Sequence, residues 1–380
     1  MKNHTVEAFF ALVRAGLWEN INDNAKLIFS SDVKWEKVYL LAEEQSVTGL
    51  IADGIDRIKN LNLNVNLNIP QEWALQFIGS ALQLEQQNAA MNTFICNLVE
   101  NMRKSGIYVL LLKGQGIAQC YEKPLWRACG DVDLLLSDDN YEKAKEYLLP
   151  LASNVEPEGV YYKHLGLTIE PWVVELHGNL RSGLSSRIDN SLDEIKDGII
   201  FGGNVRSWMN EKTQVFLPSA DNDVVYIFTH ILQHFYKGGI GIRQVCDWCR
   251  LLWMYRDSLN QRLLESRIRK MGLMSEWRAF GSFAVEYLGM PVEAMPLYYS
   301  DKKCKRKAVR ICSFIMEVGN FGHNRDRSYY EKYPYVIRKT ISMGRRCGDL
   351  VRHARLFPLD TIKFFPVIIF NGLRSAANGE

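Results

Sequence analysis

The stretch from Trp126 to Ala144, WRACGDVDLLLSDDNYEKA, decides how the chain folds around its most unusual feature. Within it, Asp131 and Asp133 stand two residues apart, and three leucines follow at once. A short apolar run of this kind predicts a buried β-strand, and side chains two apart on a strand point to the same face. Acidic residues are depleted in strands, and two carboxylates on one face repel each other unless a cation lies between them. The stretch therefore predicts a strand that begins with a cation-binding pair.

The composition is that of an ordinary globular protein. The chain has 380 residues, of which 47% are hydrophobic and 23% charged, and its formal net charge is +3. The eight cysteines lie far apart and the N-terminus resembles no secretion signal, so we expect reduced thiols and a cytoplasmic protein. We expect no membrane span, because the most apolar late run, from Phe364, contains Pro366 and is far shorter than the roughly 20 residues that a span needs.

Three regions differ in the spacing of their apolar residues. Residues 1–105 show three- and four-residue spacing, which predicts an N-terminal helical region, except for an asparagine-rich loop over 60–68. Residues 106–220 contain short apolar runs between turns, which predicts a small α/β core. Residues 221–380 return to helical spacing and predict a C-terminal helical region. The expected fold class is α+β, mainly helical, with a small mixed sheet between helical flanks.

The core is predicted to alternate strands and helices. Apolar runs over 107–112 and 131–136 predict two strands. A helix follows the second of them, with Asp138 or Asp139 as its cap. Residues 164–178 alternate on both sides of a proline turn and predict a hairpin-like pair of strands.

Two further features of the core point to phosphate and metal chemistry. Glu175 lies on the last predicted strand, with His177 two residues on and therefore on the same face. Upstream, Lys113, Gly114 and Gly116 form a turn between a strand and a helix, where glycines let the backbone approach a phosphate and lysine adds a positive charge. Magnesium suits such acids, because it takes one or two protein carboxylates and completes its shell with water and substrate phosphate.

This order of elements resembles the nucleotidyltransferase superfamily related to DNA polymerase β. More closely, LLKGQGIAQCY (111–121), GDVDLLL (130–136) and VELH (174–177) are similar to a bacterial family of uncharacterised nucleotidyltransferases. In the superfamily the turn is usually Gly-Ser or Gly-Gly, whereas Gln115 follows the first glycine here.

The resemblance implies a polymerase-β-like core and an enzyme that depends on Mg²⁺ or Mn²⁺. The enzyme would transfer a nucleoside monophosphate from a nucleoside triphosphate to a hydroxyl of an acceptor and release pyrophosphate. Asp131 and Asp133 would bind the metal that bridges the nucleotide phosphates, and Glu175 would assist a second metal or act as base. The expected contacts to the nucleotide are Lys113, Gly114, Gly116 and Arg127.

Histidines mark the expected acceptor side of the site. His177 is expected to orient the third acid or to contact the substrate. His230 and His234 stand four residues apart on a predicted helix and therefore share a face. A zinc protease would need a glutamate directly after the first of this pair, and Ile231 stands there instead.

The next predicted helix holds Arg243, Asp247 and a Cys-x-x-Cys pair. Arg243 either lines the acceptor pocket or pairs with Asp247, four residues on. Cys246 and Cys249 precede four apolar residues, with no strand-to-helix redox turn before them. We expect these cysteines to pack inside the helical region.

Two other functions remain open from the sequence. A catalytically inactive protein of the same fold could bind nucleotide or regulate a partner, and Gln115 in the turn favours this alternative. Nucleic-acid binding through residues 302–355 is a weaker hypothesis, since 15 Lys and Arg against four acids there also suit a solvated helical surface. Neither the acceptor nor the base of the nucleotide can be read from the sequence.

Overall fold

The computed structural model describes five parts of the chain: residues 4–19, 33–60, 67–159, 163–322 and 333–377. Most of the asparagine-rich segment predicted as a loop, residues 61–66, lies outside them. The N-terminal helices are α1 (His4–Leu17), α2 (Trp35–Glu44), α3 (Thr48–Asn60) and α4 (Gln71–Lys104).

The middle of the chain holds the described strands. They are β1 (Leu110–Leu112), β2 (Asp131–Leu135), β3 (Asn154–Val155), β4 (His164–Ile169), β5 (Trp172–His177), β6 (Val205–Asn210) and β7 (Thr213–Pro218). The helices between them are α5 (Gly114–Ala118), α6 (Asp138–Leu148) and α7 (Ser186–Ile200).

Helices occupy the rest of the described chain. They are α8 (Ala220–Lys237), α9 (Ile242–Met254), α10 (Gln261–Met271), α11 (Met274–Leu288), α12 (Lys302–Val318), α13 (Tyr335–Ala354) and α14 (Pro358–Ala377). The mainly helical α+β class is therefore confirmed. Among the described helices, none combines the length and the apolar character needed to cross a membrane.

Local signals account for several helix ends. Helix α4 stops before Gly106, which adopts the left-handed φ of 73° that favours glycine. The cap of α6 is Ser137, whose side chain accepts a hydrogen bond from the backbone N–H of Asn140. The prediction of Asp138 or Asp139 as this cap is wrong, because both acids lie inside the first turn and face the positive end of the helix dipole from there.

The strands form a five-stranded mixed sheet in the order β1-β2-β5-β4-β3, and β6 pairs with β7 in a separate hairpin. Strands β2 and β5 are parallel, and the other neighbouring pairs in the larger sheet are antiparallel. The predicted pairing of residues 164–178 is confirmed as the β4–β5 hairpin. This topology places β5 next to β2 although a helix and two strands separate them in the chain.

The two faces of the sheet meet different surroundings. On one face, Val132, Leu134, Val174 and Leu176 are fully buried in a hydrophobic core shared with α4 and α6. On the other face, Glu175 and His177 of β5 line a cleft together with residues of α8. N-terminal and C-terminal helices pack together in a second hydrophobic core. The division of the chain into three regions at residues 105 and 220 remains a prediction.

Candidate active site

Three carboxylates converge where β2 and β5 run side by side. The register pairs Asp133 directly with Glu175, and Asp131 precedes Asp133 by two residues on the same face. One ligand oxygen from each of the three lies within 4.8 Å of the others. Asp133 is only 1% exposed, whereas Asp131 and Glu175 are partly open to solvent. The predicted third acid thus lies beside the first two, as a metal site of oxygen ligands requires.

Two cationic groups balance the most buried of these acids. Asp133 Oδ1 is 2.8 Å from Lys113 Nζ and 2.8 Å from His177 Nε2. Burial by itself would lower the pKa of Lys113 and of His177, because it disfavours a positive charge. The negative charge of Asp133 outweighs this effect, so both pKa values lie above their ordinary values. Lys113 therefore carries a positive charge at neutral pH, and this charge lies directly beside the cluster of three carboxylates.

The strand–turn–helix at Lys113 is tightly constrained. Lys113 has a φ of 48° and Gly114 a φ of 37°, so two successive residues adopt a left-handed conformation that is costly for a lysine. Gly116 has another reason to be glycine, since a Cβ there would come within 2.6 Å of Leu217 Cδ2. The side chain of Gln115 points into the core and donates to Asn88 Oδ1 at 2.7 Å. The groups of this turn that remain for a phosphate are therefore the backbone N–H groups and the ammonium group of Lys113, because the side chain of Gln115 points into the core.

His164 was not predicted as a site residue, yet it contacts Glu175. A hydrogen bond of 3.0 Å joins His164 Nε2 to Glu175 Oε2. The two-residue turn at 170–171 places His164 directly opposite His177 in the hairpin. Counting pairs outward from that turn would have found the contact from the sequence alone.

The two outer carboxylates have opposite electrostatic surroundings. The negative charge of Asp133, followed by burial, raises the pKa of Asp131. Burial would raise the pKa of Glu175 as well, but hydrogen bonds from His164 and His177 outweigh it and lower that pKa. Asp131 is the acid for which a bound cation would relieve the most repulsion, so the three residues fit a divalent metal ion.

Helix α8 forms one wall of a cleft of about 350 Å³, and Lys113, His164, Glu175 and His177 line it as well. Tyr226, His230 and His234 lie at four-residue spacing and line this wall, and the two histidine Nε2 atoms are 3.1 Å apart. Burial, aided by the charge of Lys113, lowers the pKa of His234 to about 4 and that of His230 as well. Both imidazoles are therefore neutral at pH 7. The other lining residues include Asn179, Leu180, Arg181 and Gln233.

Arg127 and Arg243 line a different, smaller cavity, together with residues of α3 and of the segment 121–128. Arg127 forms a bidentate ion pair with Asp247, with distances of 2.6 and 3.1 Å, and only 8% of the arginine is exposed. Arg243 donates to the backbone oxygen of Ala128 at 2.7 Å. The ion-pair partner of Asp247 in the structure is thus Arg127, and Arg243 is held instead by a backbone carbonyl three residues before β2.

The remaining motifs occupy structural positions. Cys246 and Cys249 are fully buried in α9, where burial raises the pKa of both thiols and makes the reactive thiolate scarce. Their predicted packing role is confirmed. The basic segment corresponds to α12 and α13 with residues 323–332 between them, which the structure does not describe.

Comparison with known proteins bears on this site directly. A family model described as an uncharacterised nucleotidyltransferase matches residues 31–289, well over half of the chain. The chain belongs to this family. No curated protein and no solved structure matches it. Membership in the uncharacterised nucleotidyltransferase family supports a role in nucleotidyl transfer, and the matched range includes every cleft residue from Lys113 to His234. The basic segment at 302–355 lies outside that range.

Proposed function

We propose that the protein is a DNA polymerase β-like nucleotidyltransferase that transfers a nucleoside monophosphate from a nucleoside triphosphate to a hydroxyl of an acceptor. The observation that carries this proposal is the convergence of Asp131, Asp133 and Glu175 on two parallel strands, next to a cleft that Glu175 and Lys113 line. Carboxylate oxygens of this kind suit Mg²⁺ or Mn²⁺. When bound there, such an ion supplies positive charge to the phosphate oxygens.

The transfer exchanges one phosphorus–oxygen bond for another. The oxygen of the acceptor hydroxyl forms a bond to the α-phosphorus, and the bond from that phosphorus to the oxygen bridging to the β-phosphate breaks. Pyrophosphate leaves with that oxygen and its bonding electrons. Lys113, held cationic by Asp133, attracts the triphosphate into the cleft.

The acceptor is expected to enter along α8. Because His230 and His234 are neutral and line the cleft, they can hydrogen-bond the acceptor hydroxyl and orient it, and the proton of that hydroxyl passes to solvent as its oxygen bonds to phosphorus. The lowered pKa of Glu175 suits this residue to hold a cation better than to remove a proton. The histidine pair therefore serves the acceptor, and the three carboxylates serve the nucleotide.

A second candidate is a protein of the same fold that binds nucleotide without turnover. The position of Gln115 favours it, because this side chain is buried against α4 and offers the phosphates nothing. Arg127 is likewise committed to Asp247. The two candidates differ in whether pyrophosphate is released once nucleotide and acceptor are both bound.

Calorimetric titration with the four nucleoside triphosphates, with and without Mg²⁺, tests both candidates. We expect Mg²⁺-dependent binding by the wild type and its loss in Asp131→Asn, which keeps the buried pair of Asp133 and Lys113 intact. Pyrophosphate release in an acceptor screen would then establish the enzyme. Failure of a folded wild-type protein to bind any of the four triphosphates would refute both.

A further inference from the structure

A second group of metal-ligating side chains adjoins the three carboxylates. One ligand atom from each of His164, Glu175 and His177 lies within 4.8 Å of the other two. Both histidines direct Nε2 at the same carboxylate oxygen, Glu175 Oε2, at 3.0 and 3.4 Å. The two imidazole rings are 4.9 Å apart between centroids and tilted by 58°. Glu175 is thus common to two sets of ligands, one of oxygen alone and one with two nitrogens.

The hairpin holds this second group in place. His164 on β4 is paired directly with His177 on β5, and Glu175 is two residues from His177 on the same face. The main-chain register therefore sets the three side chains before any ligand arrives. The side chain of His164 is 33% exposed and that of Glu175 is 26% exposed, so the group opens into the cleft.

The observed separations match those of ligands around a single ion. A transition metal lies about 2.0–2.2 Å from histidine nitrogen and carboxylate oxygen, so neighbouring ligand atoms in one shell are roughly 3 Å apart. The distances from the two Nε2 atoms to Glu175 Oε2, 3.0 and 3.4 Å, are close to this value. His177 Nε2 also lies 2.8 Å from Asp133 Oδ1, so the proton that this histidine keeps between two carboxylates in the metal-free protein is the positive charge that a metal ion would replace.

Ligand chemistry selects the kind of ion. Imidazole favours zinc, iron and related metals over magnesium, and two histidines with one carboxylate leave positions for water and substrate. We propose that His164, Glu175 and His177 bind a divalent transition metal ion at a site that shares Glu175 with the three-carboxylate site. Two ions joined by one carboxylate form the arrangement of two-metal phosphoryl-transfer sites, and this use of the second ion rests on the proposed function. The binding of the metal itself does not depend on it.

The strongest rival is the histidine pair of α8. His230 and His234 also bring two Nε2 atoms together, 3.1 Å apart, and they line the same cleft. An experiment must therefore separate the hairpin histidines from the helix histidines. His164→Gln and His234→Gln form a matched pair for this purpose, since each removes one imidazole and preserves a polar side chain of similar reach.

Cobalt is a suitable probe because its visible absorption changes with the geometry and ligands of its coordination shell, and the variants then identify those ligands. Metal-free full-length protein is titrated with Co²⁺ in the presence of excess Mg²⁺ and without nucleotide. The affinity for Zn²⁺ is measured by calorimetry under the same conditions. Wild type, His164→Gln, His234→Gln and Asp131→Asn are compared after circular dichroism has confirmed that each is folded.

We expect one saturable Co²⁺ site in the wild type. His164→Gln should weaken it at least tenfold, since even the loss of an outer-shell partner of a metal ligand typically costs this much. His234→Gln and Asp131→Asn should stay within about threefold of the wild type. Unlike nucleotide binding, this readout needs no triphosphate, so either proposal can fail while the other stands.

Three results would overturn the assignment. Loss of the Co²⁺ site in His234→Gln with retention in His164→Gln would transfer the site to α8. Loss in Asp131→Asn alone would show that the probe occupies the three-carboxylate site. Absence of saturable Co²⁺ and Zn²⁺ binding in the folded wild-type protein would eliminate the site altogether.

Discussion

Neutralising the two aspartates of β2 one at a time should have opposite effects on the stability of the metal-free protein. Asp133 is 1% exposed and holds Lys113 and His177, each 2.8 Å from its Oδ1. Asp131 is less buried, and its pKa is raised mainly because Asp133 is so close. Asp133→Asn therefore removes an attraction, whereas Asp131→Asn removes a repulsion.

The magnitudes follow from burial and distance. Removing one partner of a buried ion pair costs about 3–5 kcal/mol, because the other charge remains buried without compensation. The Lys113 side chain is 14% exposed, so Asp133→Asn belongs in this range. Two unit charges within 4.8 Å repel by about 3.5 kcal/mol or more at an effective dielectric constant of 20. Lys113 offsets part of this for Asp131, and we expect Asp131→Asn to gain on the order of 1 kcal/mol.

Urea denaturation at pH 7.5 in the presence of a chelator measures both free energies of unfolding. Repeating the urea titrations in the presence of Mg²⁺ measures how much free energy of unfolding each protein gains when the metal binds. The wild type should gain about 2.7 kcal/mol at a Mg²⁺ concentration 100 times the dissociation constant, and neither variant should gain as much. A stability loss in Asp131→Asn as large as that in Asp133→Asn would refute the reasoning. Asp131 would then be a structural residue, and the repulsion inferred from its position would be absent.

Three further outcomes are expected. Arg127→Met and Asp247→Asn should each lower the free energy of unfolding in urea by about 3–5 kcal/mol, because each leaves a buried charge without its partner. Neither should change the affinity of the folded protein for triphosphates, and a loss of that affinity in Arg127→Met alone would assign a phosphate role to Arg127. Burial, with a carboxylate of α14 close by, raises the pKa of Glu276 from near 4.5 to about 8. The folded state then keeps a proton that the unfolded chain releases, so the free energy of unfolding should fall by about 1.4 kcal/mol per pH unit as pH rises between these values. In Glu276→Gln this contribution is absent, so its free energy of unfolding should depend less on pH than that of the wild type over the same range. Gly116→Ala should destabilise by about 1–3 kcal/mol in thermal or urea unfolding through its contact with Leu217, and an unchanged stability would contradict the close packing there.

Much of the site could be predicted because local rules govern it. The two-residue repeat of a strand places Asp131 and Asp133 on one face, whatever the rest of the chain does. The same repeat joins Glu175 to His177, and the short hairpin turn sets His164 opposite His177. Each of these relations is decided within a few residues of backbone.

Other relations could not be obtained in this way. The sequence predicts Arg127 at the nucleotide phosphates and offers Arg243 as one alternative partner of Asp247, yet Arg127 and Asp247 bury their charges against each other. Gln115 stands in a phosphate-binding turn but packs on α4. These partners lie 27 to 120 residues apart, and burial selects them because an unpaired buried charge or amide is too costly to keep.

The sequence by itself determined β1, β2 and the β4–β5 hairpin, the glycine turn and which acids share a face, because a backbone repeat acts over neighbouring residues. It did not predict β3, β6 or β7. Only the tertiary structure decided that β5 lies parallel to β2 and brings Glu175 beside Asp133. It also decided that α8 closes the cleft with two neutral histidines. Strand order and helix docking depend on how the hydrophobic faces of the whole chain are buried together, and no short stretch carries that information.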